Sequence, residues 1–390
     1  MTDVMVVAGA RTAIGDYGGA FKDIPPTRLG SIAIREALRR AKADPASVGH
    51  VVVGSVIHGE ARDMYMARVA ALDAGVPVGT PCLTVNRLCG SGLQAIVSAA
   101  QHILLGDCST AVAGGAESMS RAAYLLPTGR WGQRMGDAPV VDAMTAALHD
   151  PFGHGHMGVT AENIAAKYGF TREQQDRFAV ESHKRAAKAL EQGTFASQIV
   201  PVELKTKKGV EQYTTDEHVR ADASLENLAK LKPVFKKDGT VTAANASGIN
   251  DAAAAVVLMD SKTAKHHKPM ARLVAYAHAG VEPQLMGLGP IPAVKRVFEK
   301  AGLKPADMDV VESNEAFAVQ AMAVTQDLGL DPAKVNPNGG AVALGHPIGA
   351  TGCILTVKAL YELERIRKRY ALVTMCIGGG QGIAAIFERL

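Results

Sequence analysis

One pattern occurs twice in this chain, and it restricts the fold more than any other feature of the sequence. Residues 89–119, CGSGLQAIVSAAQHILLGDCSTAVAGGAESM, resemble residues 348–382, IGATGCILTVKALYELERIRKRYALVTMCIGGGQG. Each copy has a turn of small residues, a helical run, a buried strand and a second group of small residues. Duplication of an α/β unit explains the pattern, and convergence on the same strand–helix chemistry is the alternative. With duplication, the sequence predicts two related α/β halves.

Short β-rich runs alternate with helical runs on both sides of the chain's middle. Residues 51–53 and 110–113 are typical of buried strands, and the N-terminal MTDVMVVAGARTAIG is typical of a first strand. Residues 27–42 have the apolar spacing of a helix that packs on one side. This alternation favours parallel sheets that helices cover.

The middle of the chain has a different character. From Ser120 to about Asn245 it is polar and irregular, with stretches such as RAAYLLPTGRWGQRMGD and KLKPVFKKDG, although residues 172–192 are helical in pattern. Long connections in compact domains usually serve a function, so we expect an insertion that covers a site. The predicted organisation is an N-terminal half at 1–119 and 246–269, a covering domain at 120–245, and a C-terminal half at 270–390.

Charge and hydropathy exclude several classes of protein. The formal net charge of +4 is too small to indicate a nucleic-acid-binding protein. Apolar runs fall short of the roughly 18 residues that a membrane span needs, so no membrane association is expected. Asp3 and the glycines after it are not typical of a signal peptide.

The cysteines and histidines indicate a reduced chain without a metal. The five cysteines are odd in number and lack CxxC spacing, which favours a cytosolic protein without disulfides. The pairs His154/His156 and His266/His267 lack partner ligands at metal-binding spacing, so no metal is expected.

Cys89, in the stretch NRLCGSG, is the first candidate for chemistry. It precedes a helical run, where free backbone N–H groups and the positive end of the helix dipole favour the thiolate form. We expect Gly90 and Gly92 to let a substrate approach the backbone closely. The alternative is a thiol that only packs, as most free cysteines do.

Three later segments have small residues where strands of an α/β sheet end. SNEAFA carries Asn314, NPNGGAVALGHPIGATG is a long predicted loop that carries His346, and MCIGGGQG carries Cys376. Because α/β sheets bind ligands at the carboxyl ends of their strands, these segments are candidates for one shared site.

Together, NRLCGSG, NEAFA, GHPIGATG and CIGGGQG resemble the motifs of the thiolases. The resemblance extends over the whole chain, including GGAESMS, HMGVTAENIA, DEHVR and NASGINDAAAA. Within the family the chain looks most like bacterial biosynthetic β-ketothiolases, the acetyl-CoA C-acetyltransferases. The resemblance implies a thiolase fold: two similar halves in a five-layer α-β-α-β-α core, with an inserted loop domain that binds CoA.

The implied reaction is a reversible Claisen condensation of two short acyl-CoA molecules to 3-oxoacyl-CoA and CoA. By the family's pattern, Cys89 carries the acyl group, His346 takes its proton, and Cys376 is the second base and acid. The backbone N–H groups of Cys89 and Gly378 would form one oxyanion hole, and His346 with a water held by Asn314 the other. CoA thioesters are substrates here, so no cofactor is expected.

The resemblance also implies contacts with CoA and an assembly. Arg220 would meet the nucleotide phosphates, and Ser247 would bond the pantetheine arm. The family is usually a tetramer, a dimer of dimers, and the implied setting is cytoplasmic biosynthesis of acetoacetyl-CoA or polyhydroxyalkanoate. The remaining residues implied to line the substrate tunnel are His156, Met157, Phe235, Ala243, Met286, Ala316 and Phe317.

Several alternatives stand beside this interpretation. A degradative 3-ketoacyl-CoA thiolase of broader chain length has the same motifs, and a non-catalytic CoA- or lipid-binding protein could share the fold. A cysteine protease fits poorly, because Cys89 precedes Gly90 instead of following a Gly-Ser pair. A ketoacyl synthase lacks a second catalytic cysteine, which Cys376 would be. Arg87, Ser313 and Cys353 depart from the residues common in thiolases, and they bear on substrate preference more than on mechanism.

Overall fold

The structure is a computed structural model that describes residues 3–207 and 209–390. Its strands are β1 (Val4–Arg11), β2 (Gly15–Asp16), β3 (His50–Gly54), β4 (Cys82–Val85), β5 (Thr110–Ser118), β6 (Tyr124–Leu125), β7 (Val141–Asp142), β8 (His149–Asp150), β9 (Gly155–His156), β10 (Val202–Thr206), β11 (Gly209–Tyr213), β12 (Asn250–Asp260), β13 (Ala271–Gly280), β14 (Val310–Ser313), β15 (Tyr370–Ile377) and β16 (Gln381–Arg389). Its α-helices are α1 (Pro26–Ala41), α2 (Met66–Asp73), α3 (Ser91–Leu105), α4 (Ala143–Ala147), α5 (Met157–Tyr168), α6 (Arg172–Glu191), α7 (Leu225–Ala229), α8 (Pro290–Ala301), α9 (Ala318–Asp327), α10 (Ala341–Leu344) and α11 (Ile348–Ile366).

The main sheet consists of two half-sheets with the same strand order. The N-terminal half-sheet runs β4-β3-β5-β12-β1, and the C-terminal one runs β14-β15-β16-β13. When the extra edge strand β4 is left out, the order β3-β5-β12-β1 in the N-terminal half corresponds to β14-β15-β16-β13 in the C-terminal half. The two half-sheets meet where β1 pairs with β13, at Met5 opposite Arg272 and Val6 opposite Ala271. The matching order confirms the predicted pair of α/β halves.

The strand directions differ from the sequence prediction. Among the strand pairs described in the main sheet, the parallel ones are β3 with β4, β3 with β5, and β14 with β15. The other pairs in the main sheet are antiparallel, including β5–β12 and β15–β16. The prediction of parallel sheets is therefore wrong for half of the strands. β15 and β16 form a hairpin, which makes them antiparallel. After the insertion, β12 enters the sheet between β1 and β5 and runs antiparallel to both, so this connection is not a parallel crossover either.

Helices and half-sheets alternate in five layers. Helix α1 packs on the outer face of the N-terminal half-sheet, and α8 packs on the outer face of the C-terminal one. Helices α3 and α11 lie together between the half-sheets. Their approach is close, because a Cβ at Gly92 would lie 2.7 Å from the backbone nitrogen of Cys353. The predicted five-layer thiolase core is confirmed.

Helix α3 accounts for the most apolar stretch of the chain. The 18 residues Leu88–Leu105 are long and apolar enough to cross a membrane by length and composition, so the expectation that no run approached this length was wrong. The structure gives a different reason for the apolarity. The helix is in the middle layer, where residues such as Leu93, Ile96 and Val97 are fully buried.

In the predicted insertion, the residues that the structure describes between Ser120 and Asn245 form four α-helices and only short or exposed strands. A buried ion pair fastens it to the N-terminal half: the guanidinium of Arg11 donates to both carboxylate oxygens of Asp216, at 2.8 and 2.9 Å. The next residue, Glu217, accepts the backbone N–H groups of Asp16 and Ala20. The DEHVR segment is therefore held against the turn that follows β1.

Candidate active site

Cys89 lies in a tight turn between β4 and α3. Leu88 just before it has φ = 46°, and the Ser91 hydroxyl, which accepts the N–H of Arg87 at 2.9 Å, donates to the Leu88 carbonyl at 2.7 Å. The turn presents the half-buried Cys89 sulfur to a cavity, where the backbone N–H groups of Cys89 and Gly378 donate to it. The sequence analysis named the same two N–H groups as donors to an acyl oxyanion, and that role stays a prediction.

The electrostatics around Cys89 differ from the prediction. Burial raises the pKa of the Cys89 thiol, and the nearby Glu117 adds to this rise. The two N–H donors lower that pKa but do not outweigh the burial. The helix N-terminus alone therefore does not lower the pKa of this thiol, so a nucleophile at this position would need a base.

The glycines beside Cys89 serve packing. A Cβ at Gly90 would lie 2.7 Å from the Cδ1 atom of Ile377, and the corresponding space at Gly92 is filled by α11. The expectation that Gly90 and Gly92 admit a substrate was therefore wrong. Side chains and backbone of the other half already occupy that space.

His346 follows α10 and precedes α11, so the predicted long loop is partly helical. The imidazole is 6% exposed, and its Nδ1 lies 2.7 Å from the Thr351 hydroxyl oxygen. The backbone N–H of His346 donates to Asn250 Oδ1 at 2.9 Å. Burial lowers the pKa of His346 to about 4. The ring is neutral at neutral pH, as a base must be.

Asn314 lies directly after β14, where its backbone N–H donates to the Thr374 carbonyl at 3.0 Å. Its side-chain Nδ2 lies 3.5 Å from His346 Nε2. Its Oδ1 is buried and has no hydrogen-bond partner among the residues described. The amide therefore faces the imidazole and has an oxygen free to accept one more hydrogen bond.

Cys376 lies near the end of β15 and is fully buried. Burial raises the pKa of its thiol, and the nearby Cys89 sulfur raises it further. Two thiols this close resist simultaneous ionisation. The β15–β16 turn that follows contains Gly379 and Gly380, with φ of 79° and 88°, which residues with side chains rarely adopt.

Glu117, at the end of β5, was missed by the sequence analysis. Its buried carboxylate accepts the backbone N–H groups of Val56, Ile57 and Gly349, at 3.1, 3.1 and 2.8 Å. Burial still raises the pKa of Glu117 to about 8. The sequence feature that could have indicated Glu117 is a single acidic residue at the end of an otherwise apolar strand, in the stretch GGAESMS. It joins the segment after β3 to the start of α11, near Cys89.

Cys89, His346 and Cys376 all line one cavity of about 450 Å³. Two residues of the predicted site, Asn314 and Arg220, do not line it. Tyr17, Met119, Leu148 and Ile348 do, although the sequence analysis did not name them. The predicted residues that line the cavity are Cys89, His156, Met157, Phe235, Ala243, Ser247, Met286, Ala316, Phe317, His346, Cys376 and Gly378.

An aromatic wall forms one side of the cavity. The rings of His156 and Phe235 stack with centroids 4.7 Å apart, and Phe317 meets Phe235 edge-on at 6.2 Å. Gly158 makes room for this wall, because a Cβ there would lie 2.2 Å from the Phe235 ring. The wall is flat and apolar, which suits a slender chain.

Arg220 lies next to the cavity in a neighbouring pocket of about 440 Å³ that shares His218 and Ala243 with it. Its side chain is 60% exposed and donates to Asp16 Oδ2 at 3.3 Å. Asp16 also lies 2.7 Å from His218 Nδ1. The cation is thus at the outer side of the cavity, accessible to an anion.

Comparisons with known proteins agree over the whole chain. Residues 4–262 match the family model "Thiolase, N-terminal domain" and residues 267–389 match "Thiolase, C-terminal domain". The chain is 63% identical to a Cupriavidus necator protein named beta-ketothiolase BktB, covering 100% of this chain and 99% of that one. It is 49% identical to an acetyl-CoA acetyltransferase of the same organism, covering 100% of both. The crystal structure of human mitochondrial 3-ketoacyl-CoA thiolase superposes with a TM-score of 0.98, at 44% identity, covering 100% of this chain and 99% of that one.

Proposed function

The chain belongs to the thiolase family, and from this we propose that it is a β-ketothiolase that condenses two short acyl-CoA molecules to 3-oxoacyl-CoA and free CoA, reversibly. One observation carries the proposal: two N–H groups converge on the Cys89 sulfur in a cavity that also contains Cys376 and His346. A thiol, a neutral base and a second thiol are the groups that this chemistry needs.

In the first half-reaction His346 Nε2 takes the proton of Cys89, and the thiolate attacks the thioester carbonyl of acetyl-CoA. The oxyanion that forms accepts hydrogen bonds from the N–H groups of Cys89 and Gly378. When the intermediate collapses, the carbon–sulfur bond to CoA breaks. Cys376 gives its proton to the departing sulfur, which leaves free CoA, acetyl-Cys89 and a Cys376 thiolate.

In the second half-reaction the Cys376 thiolate removes an α-proton from a second acyl-CoA. The enolate oxygen accepts a hydrogen bond from protonated His346, and from a water that Asn314 orients through its free Oδ1. The enolate carbon attacks acetyl-Cys89, and the Cys89 thiolate leaves. It recovers its proton from His346, so the enzyme returns to its starting state.

Neither half-reaction oxidises or reduces the substrate, so we propose that the enzyme works without a cofactor. Acyl groups and protons are the only species transferred, and thiols and an imidazole suffice for both. CoA enters as part of the substrate. Arg220 would meet its phosphates at the outer side of the cavity, and Ser247 its pantetheine arm.

The acyl pocket supports a preference for short chains. Cys89 packs against a small apolar cluster that includes Ile57, Met119 and Ile348. Met119 and Ile348 also line the cavity, so bulky apolar side chains border the space next to the Cys89 sulfur. A degradative enzyme of broader chain length is the alternative. Values of kcat/KM for thiolysis of 3-oxoacyl-CoA substrates of four to ten carbons would distinguish the two, since a short-chain enzyme loses activity steeply beyond the first members.

We further propose a cytoplasmic tetramer, in line with the family resemblance. The covering domain exposes large apolar side chains, among them Trp131 at 87% and Met135 at 91%. Exposure of this kind on one segment is typical of a surface that another subunit covers. Light scattering on the purified protein measures the subunit number.

The experiment that tests the main proposal is acetylation of the enzyme. The protein is mixed with acetyl-CoA, its intact mass is measured, and the adduct is located in a peptide digest. We expect one acetyl group on Cys89, none in Cys89→Ala, and a normal adduct in Cys108→Ala, whose half-buried thiol lies outside the cavity. Folded wild-type protein without an adduct would rule out acetyl transfer through Cys89.

A further inference from the structure

Thr351 lies in the first turns of α11 and contacts the proposed base directly. Its hydroxyl oxygen is 2.7 Å from His346 Nδ1 and 2.9 Å from the Pro347 carbonyl oxygen. The residue is 2% exposed, so no solvent competes for the hydroxyl. One buried hydroxyl therefore joins the imidazole to the backbone of the helix that follows it.

The chemistry of these three groups fixes which nitrogen carries the proton. A carbonyl oxygen such as that of Pro347 can only accept, so the single hydroxyl proton of Thr351 goes to it. The hydroxyl oxygen is then left as an acceptor for His346. It follows that Nδ1 carries a hydrogen and that Nε2 has a free lone pair.

The contact on the other side of the ring agrees with this tautomer. Nε2 of His346 lies 3.5 Å from the side-chain Nδ2 of Asn314, which can only donate. Both neighbours of the ring thus favour the same proton position. The lone pair is on the nitrogen opposite the helix, on the side of Asn314.

We propose that Thr351 is a positioning residue for the reaction, which holds His346 in the tautomer whose Nε2 can take the proton of Cys89. This inference rests on the proposed function for the identity of the proton donor. Thr351 itself touches neither substrate nor reacting atoms. Its hydroxyl sets which ring nitrogen acts as the base.

The same hydroxyl serves both half-reactions. After Nε2 has taken a proton, Nδ1–H still donates to Thr351, and the new Nε2–H can donate to the enolate oxygen. The ring does not need to turn between the two steps. In the other tautomer, Nε2 would already carry its hydrogen and could not accept the proton of Cys89.

Helix α11 contains a matched control. The Thr356 hydroxyl donates to the Gly352 carbonyl at 2.9 Å, four residues back, as that of Thr351 does to Pro347. Thr356 is also fully buried, but its hydroxyl makes no contact with His346. Thr356→Val therefore removes the same helix contact as Thr351→Val without touching the base.

The test compares Thr351→Val, Thr351→Ser and Thr356→Val in the full-length enzyme. For Thr351→Val we expect kcat to fall roughly 10- to 100-fold, the loss that is typical when the outer hydrogen-bond partner of a metal-ligating histidine is removed. KM should change by less than about twofold, since the contact is not with substrate. Thr351→Ser restores the hydroxyl and should recover most of kcat, while Thr356→Val should keep it.

A second measurement does not depend on acyl transfer. The rate at which iodoacetamide alkylates Cys89 at neutral pH reports how readily His346 removes the thiol proton. This rate should fall severalfold in Thr351→Val and return in Thr351→Ser. Thermal unfolding of each variant separates loss of fold from loss of positioning, and Thr351→Ser provides the comparison if the valine variant is unstable.

Three results would overturn the inference. Thr351→Val could match Thr356→Val in kcat and in alkylation. Thr351→Ser could fail to recover activity, so that shape and not the hydroxyl matters. KM could rise while kcat stays constant. If instead wild-type protein forms no acetyl-Cys89, the proposed function fails, and the alkylation rates still decide the role of Thr351.

Discussion

The backbone N–H of Gly378 donates to the sulfur of Cys89. Cys89 belongs to the N-terminal half of the molecule and Gly378 to the hairpin β15–β16 of the C-terminal half. One donor of the proposed oxyanion hole therefore comes from each half. The thiol, its donors and the second thiol form a single site only because α3 and α11 pack together between the half-sheets.

Replacing Cys376 by serine should separate the two half-reactions. A serine hydroxyl is a far weaker acid than a thiol, so it does not ionise to the anion that removes the α-proton of the second acyl-CoA, and this step becomes slow. Acetyl-Cys89 should still form from acetyl-CoA, while turnover falls by roughly 10²- to 10⁴-fold. Intact mass measures the adduct, and thiolysis of acetoacetyl-CoA measures turnover. Acylation loses only the proton that Cys376 gives to the CoA sulfur, and this sulfur can also leave as a thiolate. Cys82→Ser is the control; loss of the adduct in Cys376→Ser would mean that acylation depends on Cys376 as strictly as condensation does.

The reactivity of Cys89 should depend little on pH between 5 and 8. Burial lowers the pKa of His346 to about 4 and raises the pKa of Cys89, so the neutral pair persists across this range. The base is lost only as pH falls through about 4, where the imidazole becomes protonated. The rate of alkylation by iodoacetamide should therefore be flat.

The His346→Ala variant provides the contrast for this pH experiment. Without the base, the alkylation rate follows the free thiolate and should rise about tenfold per pH unit. An inflection near pH 6.5 in the wild-type profile would show that the imidazole titrates as an exposed histidine does.

Asp216→Asn should destabilise the fold strongly. The substitution leaves the guanidinium of Arg11, which is fully buried, without its charged partner. Removal of one member of a buried ion pair typically costs about 3–5 kcal/mol of unfolding free energy. Urea unfolding measures this free energy. Asp222 is exposed, so Asp222→Asn is a control whose free energy of unfolding should lie within about 0.5 kcal/mol of wild type. Equal stability of the two variants would show that the ion pair does not hold the insertion.

Gly158→Ala should narrow the cavity without unfolding the protein. The added Cβ would lie 2.2 Å from the Phe235 ring, so this ring must move. We expect KM for CoA substrates to rise roughly tenfold, because the wall is displaced by the order of an ångström. Gly79→Ala is the control, since its added Cβ meets no atom within 4 Å. Steady-state kinetics measure KM for both variants. An unchanged KM in Gly158→Ala would exclude Phe235 from substrate binding.

The sequence predicted the architecture and most of the site because both depend on local patterns. The helix predicted at 27–42 is α1 (Pro26–Ala41), and the strand predicted to return from Asn250 is β12. The motifs around Cys89, His346 and Cys376 all reach the same cavity. The division of the chain at residues 119, 245 and 269 and the roles of the individual residues stay predictions.

What the sequence could not predict depends on contacts between distant segments. The raised pKa of Cys89 comes from its burial and from Glu117, neither of which a turn motif indicates. Gly92 is needed because α11 lies against it, and α11 begins more than 250 residues later. The direction of β12 depends on where the insertion returns the chain. Such features follow from the assembled core and not from any single stretch.

The division of the site between two half-sheets has a consequence for how the protein refolds. We expect each half to form its own strands and helices first, and the N–H of Gly378 to reach Cys89 only after α3 and α11 have met. Helical content should therefore recover before catalytic activity when denaturant is diluted. The interval between the two signals measures the docking of the halves, and a substitution at the α3–α11 contact should lengthen it.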